Sequence, residues 1–380
     1  MTTGKILKYY LLWQLAILVI TALSAFVLPL RQNYLGVGIQ TYQSNPLLYS
    51  RANFDGNHYL SIAKNGYGYA QQAFFPMYPN LIKKLSAFIN SPVIAGLLIS
   101  NISFLIALVF LNKLLLLDNT KEVSRWTILL LLIFPTSFFF GAVYTEGLFF
   151  LLLISSFYFA RTGKWWLAGL CGGLAAYTKF IGIFIFPALL VEWWLVHQDI
   201  KNLKSSIWRK KIKNLIPIFI IPMGLVVYML FLNRTVSDPI AFFHAQKLFG
   251  QARSEKIILL YQVFWRYAKM IATVDRSNPI YLNVLLETFT GIIFLTTSIY
   301  SFLKHRLSYS LFNFATYIVP TLTGNFVSLP RYVLICFPSF IILAQAISKT
   351  GIKTRKILLL SSAIIFSLFL GLFARGNWVA

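Results

Sequence analysis

The sequence predicts an all-α protein that crosses a membrane many times, and three observations carry that prediction. Hydrophobic residues make up 58% of the 380 and charged residues 12%, where soluble domains run nearer roughly 45–50% and about 25%. Apolar stretches of roughly 18–25 residues recur along the chain, each long enough for a hydrocarbon core of about 30 Å. Lipid offers no partner to a free backbone amide, so such stretches must be helices. The chain therefore reads as a single integral membrane domain over 1–380, with about eleven transmembrane helices and two long loops.

The elements follow in order. The first apolar run, 9–30, is too long for a signal peptide, although "ALSA" at 22–25 faintly resembles a cleavage site. The first long loop, 31–90, contains "FDGNHYLSIAKNGY" (54–67), with Asp55 as one of only ten carboxylates. Tyr59, Ile62 and Ala63 follow at i, i+3 and i+4, the spacing of an amphipathic helix, and Asn65-Gly66 ends it as helices commonly end. In "AFFPMYPNLIKKL" (73–85), Pro76 and Pro79 are expected to break the chain among aromatics, and the segment reads as a helix lying at the membrane surface. On spacing alone, Asp55 either caps this helix or serves a chemical role.

Further spans are expected at 91–117, 126–140 and 147–160. The stretch 167–196 is long for one span and short for two, with Lys179 in its middle. Charge resolves it. The basic runs "RTGK" (161–164) and "KNLKSSIWRKKIK" (201–213) belong on the cytoplasmic side by the positive-inside rule. An even number of crossings must join them, hence a hairpin of 167–178 and 181–196 with Lys179 near its outer tip. The remaining spans are 214–233, 280–303, 307–324, 331–348 and 357–374, and the second long loop is 234–279. The same rule places the N-terminus, 113–125, 304–306 and 349–356 inside. More than half of the 34 lysines and arginines then lie inside. The rest sit mostly in the long loops, which largely escape the rule.

Several function classes drop out. The pI near 10 does not indicate nucleic acid, because the charges cap membrane helices and no DNA-binding motif is present. Cys171 and Cys336 both fall in expected apolar helices without metal-like spacing and read as packing residues. There is no P-loop, GxGxxG or HExxH, and no evident internal repeat of the kind many transporters carry. The N-x-S/T matches at Asn101 and Asn233 carry no information, one lying inside a span.

The stretch from "FDGNHYLSIAKNGY" through "AFFPMYPNLI" resembles the signature of the PIG-V family, the GPI mannosyltransferase 2 group and its prokaryotic relatives. That signature has a tryptophan-aspartate pair, an H/W-Y-L-x-I-A-x-x-G-Y run and F-F-P-x-Y-P. Phe54 replaces the usual tryptophan, while Asp55, Tyr59, Gly66, Tyr67, Phe75, Pro76 and Pro79 fit. "YTEGLFF" (144–150), "DPIAFFHAQ" (238–246), "PRYVLICFPSF" (330–340) and "NWVA" (377–380) agree in order. The family belongs to the GT-C class of multispanning glycosyltransferases. The resemblance thus implies a mannosyltransferase-like enzyme that moves a hexose from a polyprenyl- or dolichyl-phosphate donor to a hydroxyl of a lipid-linked or glycan acceptor. It implies an active site on the extracytoplasmic or lumenal face, in a plasma or ER membrane. No cofactor and no metal are expected. The partners expected are the bilayer, the lipid-linked donor, the acceptor and a small membrane subunit, without nucleic acid.

This chemistry suits a chain poor in acid. Glycosidases need a carboxylic acid to protonate a poor leaving group and a second carboxylate to attack or activate water. A polyprenyl phosphate already leaves well, since the second pKa of a phosphate monoester is about 6. It needs cations to hold its charge and one base for the attacking hydroxyl. The resemblance makes Asp55 that base, with inversion at the anomeric carbon. His58, one turn on, is expected either at the donor phosphate or acceptor or as a structural residue, beside Tyr59. Glu146, in the outer turn "YTEG", is expected either to bind a sugar hydroxyl or to pair with Lys179 or Arg331, since a carboxylate at membrane depth is costly. Lys179 and Arg331, the latter followed by Tyr332, are expected at the donor phosphate or else as caps and snorkelling cations. In the second loop, Asp238, His244, Gln246 and Lys247 are expected to contact acceptor or lipid. Glu287, Asp118, Glu122, Glu192 and Asp199 read as structural. Two other readings are a lipid-linked glycan flippase, which needs a path open to both sides, and a non-catalytic scaffold subunit with a GT-C-like fold.

Overall fold

The computed structural model describes all residues except 33, 35, 198–211, 250–253, 255 and 380. Fourteen longer helices carry the described chain. They are α1 (Thr3–Val27), α2 (Asp55–Asn65), α3 (Met77–Ile89), α4 (Pro92–Leu115), α5 (Lys121–Ile133), α6 (Glu146–Arg161), α7 (Trp165–Thr178), α8 (Ile185–Val196), α9 (Ile220–Val236), α10 (Leu260–Thr273), α11 (Pro279–Lys304), α12 (Leu307–Thr321), α13 (Phe337–Ser348) and α14 (Ile352–Ala374). Among the described residues there is no β-strand.

A helix forms at each of the eleven apolar stretches, but the stretches are not eleven full-length spans. Among the described residues, five helical segments are long and apolar enough to cross a membrane alone: α1, α4, Ile216–Val236, α11 and α14. The others are short or broken, and three stretches break at an identifiable residue. The expected span 126–140 stops at Ile133, just before Phe134-Pro135, where the proline ring bars the preceding residue from helical backbone. The chain then makes a single 3₁₀ stretch, Ser137–Gly141. The stretch 167–196 divides at Lys179, whose extended backbone (φ −160°, ψ 139°) separates α7 from the 3₁₀ stretch Phe180–Phe184 and α8. The expected span 331–348 is bent by 84° between Leu329–Ile335 and α13. Cys336 sits at that bend rather than within a helix. The basic run 201–213 falls largely outside the described residues, as does Asp199.

The first long loop contains α2 and α3. The second contains the 3₁₀ and α turns Ala241–Phe249 and α10. Pro79 does not break the chain. It occupies the first turn of α3, where an amide N–H has no helical partner and its loss is tolerated.

In lipid, apolar burial drives helix association weakly, so close approach and polar contacts matter more. Both appear where α3, α4 and α6 meet. Gly147 lies so close to the Ser100 carbonyl that any side chain would collide with it. The Tyr78 hydroxyl bonds Ser100 Oγ at 2.7 Å, and that hydroxyl donates to the Tyr144 carbonyl at 2.9 Å. The Tyr144 hydroxyl in turn donates to the Asn53 carbonyl at 2.9 Å. Phe104 and Phe140 stack beside them at 4.1 Å. This clasp locks the starts of α2 and α6 to each other.

The acids read as structural are placed accordingly. Glu122 pairs with Arg355 at 3.0 Å, and the Tyr267 hydroxyl donates to Glu287. At the far end of α6, Arg161 pairs with Asp118 at 2.5 Å, and Arg306 with the fully buried Glu192 at 2.8 Å. Glu146 opens α6 and Arg161 closes it. Sixteen residues at about 1.5 Å each separate two charged clusters by roughly 24 Å.

Candidate active site

Asp55 is delivered by a tight turn. The Gly56 N–H donates to the Asn53 carbonyl at 3.1 Å, and Phe54 between them has φ 54° and ψ −116°. That is the first corner of a type II′ turn, a position that favours glycine. A phenylalanine there stores strain of about 1–3 kcal/mol and must be held by its surroundings. Asp55 follows as the first residue of α2. Phe54, not Asp55, occupies the N-cap position, and no side chain caps the helix end. The capping reading of Asp55 therefore falls away. Its carboxylate is directed at Arg331 instead, with Oδ2 at 2.5 Å from Nη1.

Arg331 comes from the other end of the chain. Pro330 favours the first turn of the short helix Leu329–Tyr332, and the Pro330 carbonyl is fastened by the Thr136 hydroxyl at 2.7 Å. The guanidinium lies over the rings of Phe139, Tyr144 and Tyr332, at 5.4–5.5 Å, an arrangement favourable for a desolvated cation. Its Nε stands 3.7 Å from Glu146 Oε1, beyond hydrogen-bond reach. Among the described residues, that buried Nε has no hydrogen-bond partner. Lys179 Nζ reaches the same Glu146 oxygen at 2.9 Å and lies over the Tyr332 ring at 5.3 Å.

Asp55, Arg331, Glu146 and Lys179 thus form one chain of alternating charge that sums to zero. A buried charge persists only when paired, and the side chains of Glu146 and Arg331 are 2% and 8% exposed. Asp55 and Lys179 are each 22% exposed, so the two ends of the chain are the members open to a ligand. All four line a cavity of about 220 Å³.

The cavity also takes in Tyr59, Gln246 and Tyr332. Burial, with Glu146 and Asp55 adding to it, raises the pKa of the Tyr59 phenol, which stays protonated. Phe74, Phe75, Phe180 and Phe243 supply aromatic walls, and Thr316, Val319, Pro320 and Thr323 close one side. Sequence reasoning missed that last wall. It comes from the end of an apolar helix and the turn after it, with no charge or motif to mark it.

Three expected residues, His58, Asp238 and His244, lie elsewhere. His58 is not among the cavity residues. Its ring stacks on Phe74 at 4.9 Å and meets Gln71 at 3.4 Å, because the i+3 step turns it behind the Phe74 wall. Burial lowers its pKa, with Asp55 pulling the other way. His244 pairs with Asp238 at 2.7 Å on the exposed surface of the second loop. That hydrogen bond holds the Asp238 carboxyl below its usual range. The side chain of Lys247 lies outside what the structure describes. Among the described residues, no group of three or more His, Cys, Asp or Glu is placed to hold a metal ion.

Chemically, the cavity offers two cations in reach of an anionic group, one carboxylate at its mouth and apolar walls. Such a site suits a ligand with a charged head and an uncharged body.

Comparison with known proteins completes the picture. The family model described as mannosyltransferase (PIG-V) matches residues 3–347. Among solved structures, the chain is similar to ArnT from Cupriavidus metallidurans bound to undecaprenyl phosphate, with 13% identity and a TM-score of 0.53 over 97% of this chain and 76% of that one. The apo form of the same protein gives 14% identity and the same TM-score and coverage. These likenesses extend over nearly the whole described fold, which is that of a GT-C membrane glycosyltransferase. No curated protein gives a significant match.

Proposed function

The chain belongs to the PIG-V mannosyltransferase family, and we propose from that premise that it transfers mannose from a polyprenyl-phosphate donor to an acceptor hydroxyl. The observation that carries the proposal is the meeting of Asp55, Glu146, Lys179 and Arg331 around one cavity. Those residues come from four separate segments and supply the two things this reaction needs, cations for a phosphate and a carboxylate for a proton. The undecaprenyl phosphate of the Cupriavidus protein is the lipid chemistry we carry over to this chain.

In this reading the donor phosphate enters beside Arg331 and Lys179. A negative group added to a neutral charge chain must displace a carboxylate, and Asp55 is the more exposed of the two. Arg331 passes from Asp55 to the phosphate, and Asp55 is left free to accept a proton. The acceptor oxygen then attacks the anomeric carbon from the side opposite the phosphate. As the new C–O bond forms, the bond between that carbon and the phosphate oxygen breaks. Its electron pair leaves on the phosphate, and Asp55 takes the hydroxyl proton. The anomeric configuration inverts. Arg331 and Lys179 stabilise the charge that develops on the leaving oxygen, where preorganised donors act most strongly. Glu146 remains as the buried anion that keeps the two cations together.

Retention of the cavity at one end of α6 favours transfer over transport. The cavity contains Glu146 from the start of that helix but neither Arg161 nor any other member of the charged cluster at its far end. The deciding experiment presents purified protein with a panel of polyprenyl-phosphate sugars and simple acceptors, and follows release of polyprenyl phosphate. Mannose transfer by the wild type and none by Asp55→Asn is the expected result. Absence of transfer from every donor in the panel would overturn the proposal.

A further inference from the structure

The family match ends at residue 347, yet the chain beyond it returns to the site. Helix α14 ends in a Schellman turn: the Asn377 N–H donates to the Leu372 carbonyl at 2.9 Å and the Gly376 N–H to the Phe373 carbonyl at 3.1 Å. Gly376 takes φ +79° there, the backbone that this cap requires and that glycine adopts without strain. The turn swings Trp378 back toward the start of α2. The Trp378 carbonyl is fixed by Asn283 Nδ2 at 2.7 Å, and its indole meets the Phe54 ring edge-on, at 5.1 Å and 84°. Phe373 touches the same ring at 5.8 Å, and its carbonyl accepts from Asn53 Nδ2 at 2.8 Å.

Phe54 carries a strained backbone, and Asp55 comes directly after it. If the ring were released, the turn could relax toward ordinary φ, and the Asp55 carboxylate would be carried with it. We infer that Trp378 is a positioning residue for Asp55: it clamps the Phe54 ring, holds the type II′ turn in its strained form and so sets where the carboxylate stands. This rests on the reading of Asp55 as the base. The clamp acts on geometry and not on donor contact, because neither Trp378 nor Phe54 is among the residues lining the cavity.

The test uses the full chain in detergent and separates turnover from binding. Trp378→Ala is expected to lower single-turnover mannose transfer by roughly 10–100-fold, the scale of a misplacement of about 1 Å. Affinity for polyprenyl phosphate should stay within about two-fold. Trp378→Phe keeps an aromatic edge and should recover most of the rate. Trp378→Leu keeps apolar bulk, serves as the second variant should alanine unfold the protein, and should be slow. Phe54→Gly takes the turn without strain, so adding Trp378→Ala to it should cost turnover far less than in the wild type; ring contact alone couples the two residues in stability, whereas positioning couples them in rate. Normal turnover in both Trp378→Leu and Trp378→Ala, or additive effects in the cycle, would overturn the inference. If Asp55→Asn transfers mannose normally, it is the base reading that fails.

Discussion

The Asp55 carboxylate and the Arg331 guanidinium stand 2.5 Å apart although 276 residues separate them in sequence. In that arrangement the guanidinium occupies Oδ2 of the carboxylate. In the proposed mechanism that oxygen faces an acceptor hydroxyl only when something else takes Arg331. A donor phosphate would do so, which makes binding ordered, donor before acceptor.

Replacement of Asp55 separates chemistry from stability. Asp55 makes no cap hydrogen bond, so asparagine and alanine should differ little in helix stability. Both should lose at least about 10²-fold in transfer while still binding donor lipid, since one competing negative charge is gone. Single-turnover transfer measured beside lipid binding checks this. An active Asp55→Asn enzyme would remove Asp55 from the mechanism.

Arg331→Ala should slow transfer by roughly 10²-fold or more, the scale seen when one preorganised donor to developing charge is lost. Arg331→Lys should not restore it, because an ammonium lacks the planar fork that can face two acceptors at once. Near-normal turnover in Arg331→Ala would mark the residue as purely structural.

Glu146 and Lys179 should behave as a coupled pair. Glu146→Gln leaves two cations facing one carboxylate and should destabilise the protein by about 1–3 kcal/mol. That is less than the ~3–5 kcal/mol of a fully enclosed pair, since Lys179 is partly exposed. Lys179→Met should be damaging as well, yet the double variant should be more stable than the sum of the single changes implies. Thermal unfolding midpoints in detergent measure the coupling, and strict additivity would argue against it.

Acid should weaken the α2 region through His58. Its folded-state pKa lies below the ordinary 6.5, because burial disfavours the charged ring more than Asp55 favours it. The unfolded chain then binds the proton first. Stability is full above pH 6.5 and falls as the pH drops from there through the lower folded-state value. His58→Phe keeps the stack on Phe74 and should flatten this dependence between about pH 7 and about pH 5. An unchanged slope would assign the titration to another group.

Membrane orientation can be read with single cysteines in a background lacking Cys171 and Cys336. The exposed Tyr69 lies in the first long loop and Thr162 just beyond the far end of α6. An impermeant thiol reagent applied from outside should label a cysteine at 69 and spare one at 162 or 205. Outside labelling at 162 would invert the topology.

Much of the architecture was legible in the sequence, because lipid leaves an apolar stretch only one backbone solution. Individual residues told more than composition. Asn65-Gly66 ended α2 where expected, Lys179 marked the division of 167–196, and Asp55, Lys179 and Arg331 all stood out as candidate site charges. Full-length spans could not be distinguished from broken ones, since apolarity records preference for lipid and not helix continuity. Proline cost to helix backbone showed only in the fold, breaking the chain at Phe134-Pro135 but not at Pro79. Pairing was beyond reach for a different reason. Which carboxylate Arg331 meets, that His58 turns behind Phe74, and that Trp378 closes on Phe54 all depend on contacts between distant segments. Each is settled by how helices pack around the Tyr78–Ser100–Tyr144–Asn53 clasp. The sequence by itself determined a helical membrane protein and singled out Asp55, Glu146, Lys179 and Arg331 as candidate site charges. Only tertiary packing decided that these charges neutralise each other around a single cavity, because a buried charge takes its partner from space and not from sequence.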